Sequence, residues 1–239
     1  MSDHDTDEFD AAWQQMLARQ RDMLDVVAAV VRLTAGGAHP VKVARLAAAV
    51  GRPVDQVRQL VDQADAGLPS LSTGHTSDEV WLDFATSGTP RFRYEIGDRR
   101  IGVGGCGPDI FEVAQALEQP MRVDTSCPIT GTAISVELTP DGVGAVHPSD
   151  AVVAVLDLNT VAETAQLTDA ARVDAEVCTQ QTFFANPDVA QGWLDRHPGG
   201  RVIPVAAFDQ WWRHLRTNTG GAPGPRLGTN TAPPSAGHH

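Results

Sequence analysis

Three cysteines and one aspartate carry the chemistry that this sequence offers. Cys106 stands three positions before Asp109, Cys127 opens a later turn, and Cys178 lies just ahead of an aromatic pair, Phe183 and Phe184. Thiols bind soft metals and a carboxyl group moves protons, so the set suits the chemistry of a soft metal bonded to carbon. The ordinary alternatives are structural. An aspartate in a first helical turn complements the helix dipole, and a free cysteine packs as a small hydrophobe. Pro108 suits the start of a helix over residues 108–118, which sets Cys106 near that helix's N-terminus. The partial positive charge there favours a thiolate.

Other chemistries lack their residues. Gly102-Val103-Gly104-Gly105 has no following Lys-Ser/Thr and no third spaced glycine, so it reads as a backbone bend and not as a phosphate loop. The histidines are scattered, and only His238 and His239 are adjacent, in a polar tail. Three cysteines are too few, and odd in number, for a disulfide framework. A net charge of −12 disfavours a nucleic-acid partner, because phosphate binding draws on Lys and Arg. No apolar run is long enough to span a bilayer, and the acidic N-terminus lacks a signal-peptide pattern. The expectation is a cytoplasmic protein that uses neither membrane nor nucleic acid.

A chain of 239 residues with 42% hydrophobic content can build one medium domain or two small ones. Residues 1–8 read as loose. Trp13, Met16, Leu17, Leu24, Val27 and Val31 recur at helical spacing over residues 9–33, and Gly36-Gly37 ends the helix. A helix over 41–50, a turn at Gly51-Arg52-Pro53 and a helix over 54–66 follow, the outline of a helix-turn-helix. Lys42, Arg45, Arg52 and Arg58 against Asp55, Asp62 and Asp65 leave little positive charge, so this module is expected to serve structure and not DNA. Residues 67–78 read as a loop. Alternating runs over 80–85 and 91–96, joined by Ser87-Gly88-Thr89-Pro90, read as a hairpin, either the wing of the helical module or the first strands of the next domain. Strands are expected over 121–126 and 132–138, a buried strand over 151–158, a helix over 159–173 and a strand over 178–184. Asn186-Pro187 should cap a helix ending at Gly199-Gly200, followed by a strand over 201–205 and a last helix over 206–216. The Gly/Pro-rich residues 217–239 read as a disordered tail.

With these pieces in order, the chain resembles the organomercurial (alkylmercury) lyase family. The resemblance rests on Asp98-Arg99-Arg100, the C-x-x-D at Cys106 and Asp109, Arg122-Val123, Ser126-Cys127 and Thr130-Gly131. It continues through Cys178 ahead of Phe183-Phe184-Ala185, and Trp193, and it includes the turn around Gly51-Arg52-Pro53-Val54. It covers about residues 15–216. The family pattern departs at Gly105, where an aromatic is usual, at Pro108, and at Thr179-Gln180-Gln181-Thr182, which replaces a second cysteine and histidines. One residue is also inserted between Arg100 and Cys106, and the segment before Cys178 is longer than usual.

The resemblance implies an α+β fold: a helical winged-helix-like domain over 9–79, then a mixed, mainly antiparallel β-sheet domain with flanking helices over 80–216. It implies that Cys106, Asp109 and Cys178 are catalytic, that the same three hold the Hg(II) product transiently, and that Cys127 is structural. The implied activity is protonolysis of a carbon–mercury bond to hydrocarbon and Hg(II), in mercury resistance and detoxification. No cofactor is implied. An external thiol or a partner, with a mercuric reductase as the candidate, would remove the ion. Two alternatives use the same residues: a non-catalytic dithiol protein that binds or senses Hg(II) or Cu(I), and a relative with another organometallic or carbon–sulfur reaction.

Overall fold

The computed structural model describes residues 3–67, 71–73, 78–82, 91–103, 106–117, 119–161 and 177–218. The expected helix over 159–173 falls mostly outside them, and so does the expected tail beyond residue 218.

The chain opens with a long helix α1 (Asp3–Ala35). It starts earlier than the apolar pattern predicted, so residues from Asp3 onward are helical and not loose. Phe9, Trp13, Leu17, Val26, Val30 and Leu33 bury one stripe of it. Gly37, at φ 96°, takes the left-handed turn that ends it. Strand β1 (Val41–Lys42) leads into α2 (Val43–Val50), which closes on Gly51 at φ 67°. Helix α3 (Val54–Gly67) then buries Val57 and Val61. Two further strands, β2 (Leu71–Thr73) and β3 (Glu79–Leu82), complete a three-stranded antiparallel sheet in the order β1-β3-β2.

This corrects two expectations. The stretch over 67–78 contains a strand, and β3 does not form a hairpin with the run at 91–96. It pairs back onto the N-terminal sheet, across the expected boundary at residue 79. The alternation was sound, but alternation fixes which face is buried and not which strand lies alongside.

Strand β4 (Phe92–Ile96) turns at Gly97, φ 61°, into β5 (Arg99–Val103). The glycine-rich segment expected to bend is thus in part a strand. A five-stranded antiparallel sheet follows in the order β5-β4-β6-β7-β8, with β6 (Met121–Ser126), β7 (Ala133–Thr139) and β8 (Gly142–His147). Phe92, Tyr94, Met121, Val123, Ile134, Val136 and Leu138 face its buried side.

A second three-stranded sheet, β10-β9-β11, has the fully buried β9 (Val152–Val155) at its centre, flanked by β10 (Phe183–Phe184) and β11 (Arg201–Pro204). Four apolar residues buried on both faces are what a central strand requires. The expected strand over 178–184 is shorter. Cys178–Gln180 form a 3-10 turn, and only Phe183–Phe184 pair.

Helix α4 (Asp109–Leu117) begins just after Pro108. Helix α5 (Pro187–Leu194) is capped by the Asn186 side chain, which accepts from Val189 N–H at 2.9 Å, and it ends before the predicted glycines. Helix α6 (Val205–Asn218) buries Val205, Phe208, Trp212 and Leu215 at helical spacing.

Helices α1, α4 and α6 pack together. Trp13 donates its indole N–H to the Leu156 carbonyl at 3.0 Å and meets Trp212 edge-on at 5.8 Å. Phe111 of α4 lies 4.7 Å from Phe208 of α6. Within this apolar seam Glu112 is only 8% exposed. It pairs with Arg216 at 3.1 Å and accepts from the Trp212 indole at 3.4 Å. Burial pushes the Glu112 carboxyl up, and Arg216 and Trp212 oppose that.

Removing one partner of such a pair strands the other charge. Glu112→Ala should therefore cost about 3 kcal/mol in urea unfolding, and Glu112→Met with Arg216→Met should recover most of it.

Candidate functional site

Cys106 lies in the loop that leaves β5, directly before α4. Its backbone N–H donates to the Asp109 carboxylate oxygen Oδ2 at 2.7 Å, and the Asp109 N–H returns a bond to the Cys106 carbonyl at 3.1 Å. This reciprocal pairing ties the cysteine to the acid at the head of the helix. Pro108 forgoes no helical bond here, since a first-turn N–H has no partner within the helix.

Cys178 stands on the 3-10 turn before β10. The Gly107 N–H donates to the Gln181 carbonyl at 3.1 Å, joining the two loops through their backbones. A side chain at position 107 would not fit easily: a Cβ there would sit 3.3 Å from Val153 Cγ1 and 3.4 Å from the Phe183 ring. Arg91 donates to the carbonyls of Cys178 (3.1 Å), Thr179 (3.2 Å) and Gln181 (3.1 Å). Trp193 donates its indole N–H to the Gln180 carbonyl at 2.7 Å, with His197 stacked on its ring at 4.3 Å. These donors satisfy the turn's carbonyls in place of a strand ladder, which is why the predicted strand does not form.

The Cys178 side chain is the largest influence on the Cys106 thiol, followed by burial and then the Asp109 charge. All three push the Cys106 thiol well above its usual value, and only the bond with the Asp109 backbone opposes them. The helix-terminus argument predicted the reverse, a thiolate at Cys106. It fails because the carboxylate of Asp109 already occupies that end of the helix, and because both sulfurs are buried beside it. In the free site Cys106 therefore keeps its proton.

Cys127 is elsewhere. It is 1% exposed, its N–H donates to the Thr132 carbonyl and its carbonyl accepts from Gly131, closing a turn around Gly131 at φ 68°. Burial raises its thiol, but bonds from the Thr130 hydroxyl and from the backbone at Thr130, Ala185 and Ile129 outweigh it and lower the thiol overall. All three cysteines are free thiols.

Of the residues singled out by sequence, Cys106 bonds to Asp109 and feels the Cys178 side chain, while Cys127 closes the turn between β6 and β7. Among the described residues no group of three or more His, Cys, Asp and Glu side chains is arranged to hold a metal ion. Two thiols suit a linear soft ion, which needs no third ligand. Sequence reasoning missed Arg91, whose place on the polar side of an alternating strand gave no sign of its bonds to the Cys178 turn. It also missed Tyr94, whose hydroxyl is buried near the acid.

Comparison with known proteins identifies the family. The family model described as "MerB: Alkylmercury lyase" matches residues 85–215. An alkylmercury lyase from Streptomyces lividans is 30% identical over 186 residues, covering 78% of this chain and 79% of its own. One from Staphylococcus epidermidis is 28% identical over 176 residues, 74% of each chain. In fold, the crystal structure of the mercury-bound form of MerB2 aligns with a TM-score of 0.59 at 16% identity, over 89% of this chain and 98% of that one. The chain belongs to the alkylmercury lyase family.

Proposed function

We propose that this protein cleaves the carbon–mercury bond of organomercurials by protonolysis, with Cys106 and Cys178 as mercury-binding thiols and Asp109 as the proton-transfer group. The observation that supports it most is the bond from Cys106 N–H to the Asp109 carboxylate, next to the Gly107–Gln181 bond that brings in the loop of Cys178.

The reaction balances with these groups alone. In R–Hg–X, the first thiol displaces X, which leaves with that thiol's proton as HX. Asp109 takes the proton of the second thiol, and the resulting thiolate adds to mercury and weakens the Hg–C bond. The bonding pair then goes with carbon and picks up the proton from the Asp109 carboxyl. The products are R–H and Hg(II) held by Cys106 and Cys178, with Asp109 beside it. No cofactor enters. An external thiol, or a mercuric reductase acting as partner, would take the ion away. The activity would serve mercury resistance and detoxification.

The raised Cys106 thiol fits the scheme, because the carbon needs a proton and the site holds one in store. The N-terminal helices with the β1-β3-β2 sheet have the strand–helix–helix–strand–strand order of a winged helix. We read this unit as a structural support for the site and not as a reader of DNA.

The decisive assay is release of benzene from phenylmercury, or methane from methylmercury, in the presence of an external thiol. The native protein should release hydrocarbon. Asp109→Ala should lose at least about a hundredfold in rate while still binding Hg(II). Cys106→Ser or Cys178→Ser should lose both. Hg(II) binding by a native protein that releases no hydrocarbon would instead support the dithiol binding reading.

A second expectation concerns pH. Because the Cys106 thiol is raised, its thiolate accumulates only above the ordinary thiol range of about 8.5. Alkylation of Cys106 by iodoacetamide, followed by mass spectrometry, should still be climbing at pH 9. In Asp109→Ala the curve should shift toward lower pH, since one of the raising charges is gone.

A further inference from the structure

The 3-10 turn that starts at Cys178 is weakly closed by its own backbone. Its two bonds, Gln180 N–H to the Val177 carbonyl and Gln181 N–H to the Cys178 carbonyl, are both 3.3 Å long. Bonds of that length hold little, so the turn depends on partners outside it. The end of α5 supplies two of them, and both grip Gln180. Its carbonyl accepts the Trp193 indole N–H at 2.7 Å. Its side-chain Oε1 lies 3.2 Å from Nε2 of His197, whose other ring nitrogen, Nδ1, lies 2.8 Å from the Trp193 carbonyl.

The backbone after α5 is shaped for this contact. The His197 N–H donates to the carbonyls of Trp193 and Leu194, both at 3.1 Å. That curl lays the imidazole on the Trp193 ring, with centroids 4.3 Å apart and planes 24° from parallel. The chain then passes so close to the indole that a Cβ at position 200 would sit 2.8 Å from its ring, so glycine is needed there.

The His197 bond to Gln180 forms in either charge state of the ring. As an imidazolium it donates through Nδ1 to the Trp193 carbonyl and through Nε2 to the amide oxygen. As a neutral ring with its proton on Nδ1, it accepts at Nε2 from the Gln180 amide nitrogen once that amide turns over. The amide oxygen then takes the place of the nitrogen, 3.3 Å from the Thr179 hydroxyl, and accepts from it. A histidine that only closed a helix end would use Nδ1 alone. The second nitrogen reaches a residue in Thr179-Gln180-Gln181-Thr182, the stretch where this chain departs from the family pattern.

We propose that His197 is a positioning residue for Cys178, acting through the side chain of Gln180. The inference rests on the protonolysis reading and deepens it. The second thiol must approach mercury from one direction, and a small error in that direction costs rate. His197 and Trp193 hold Gln180 at its side chain and its carbonyl, and so keep the turn from unwinding under Cys178.

His197→Phe keeps a ring on Trp193 and removes the bond to Gln180. Gln180→Met keeps the length of that side chain and removes its amide. In each, kcat for hydrocarbon release from phenylmercury should fall about fivefold, with KM within about twofold. The thermal midpoint should stay within about 2 °C of native. The double variant should be no slower than either single one, because both remove the same bond. A readout without turnover is competition for Hg(II) between the protein and dithiothreitol. Each variant should give up the ion at about fivefold less dithiothreitol than the native protein.

A His197→Phe kcat within about twofold of native overturns the proposal. So do single losses that multiply in the double variant, since His197 then acts by another route. A fall in kcat that comes with a midpoint more than about 5 °C lower also overturns it, as the mark of a structural residue. If the native protein releases no hydrocarbon, the protonolysis reading fails by itself. The dithiothreitol competition then decides the role of His197, and a native-like curve in both variants overturns it.

Discussion

The joining of two cysteine-bearing loops, one from each sheet, is the constraint that the rest of the site answers to. Cys106 follows an edge strand of the five-stranded sheet, and Cys178 precedes an edge strand of the three-stranded sheet. Neither sheet alone could hold both. The Gly107 to Gln181 backbone bond fixes one loop against the other, and the Arg91 and Trp193 donors stop the Cys178 turn from rearranging. A soft linear ion tolerates little error in the direction of its two ligands, so the surrounding donors matter as much as the sulfurs.

Burial sets the protonation of the site, against the simplest expectation from helix electrostatics. A helix N-terminus stabilises one nearby anion, and here Asp109 is that anion. A second negative charge on Cys106 would be close, desolvated and unpaired, so the thiol keeps its proton until something able to bind sulfur arrives. In the proposed reaction a mercury centre does this, because the sulfur–mercury bond replaces the proton, and substrate binding and proton release become one event.

The sequence made the local elements legible where a single signal decides them. Pro108 marked the start of α4, Asn186-Pro187 the start of α5, and alternation gave the buried face of β4. The family resemblance, carried in part by the C-x-x-D spacing and the distant Cys178, named the candidate site residues; in the fold Cys106 bonds to Asp109, and Gly107 bonds to the loop that carries Cys178. Strand partnership was not legible. β3 turns to β1 and β2, while β4 turns to β5 and β6, and nothing in either run specifies this. The Cys178 turn was misread as a strand because its composition is strand-like. Its carbonyls are satisfied by Arg91 and Trp193, both distant in sequence. The sign of the Cys106 shift was missed for the same reason: it depends on three groups meeting in space.

The division into a helical unit and a sheet unit is clearer along the chain than in the packing. α1 belongs to the N-terminal unit by sequence, yet its Trp13 sits in the aromatic seam with Trp211 and Trp212 and bonds to the Leu156 carbonyl beyond β9. Swinging the N-terminal unit away would expose that indole, at a cost of about 3 kcal/mol or more for this one side chain. It would also uncover the flank of α4, which packs directly on α1. Asp109 is the first residue of α4, so the aim of the acid depends on a helix that begins at the other end of the chain. On the proposed reading the N-terminal unit supports the chemistry through this packing of α1 on α4.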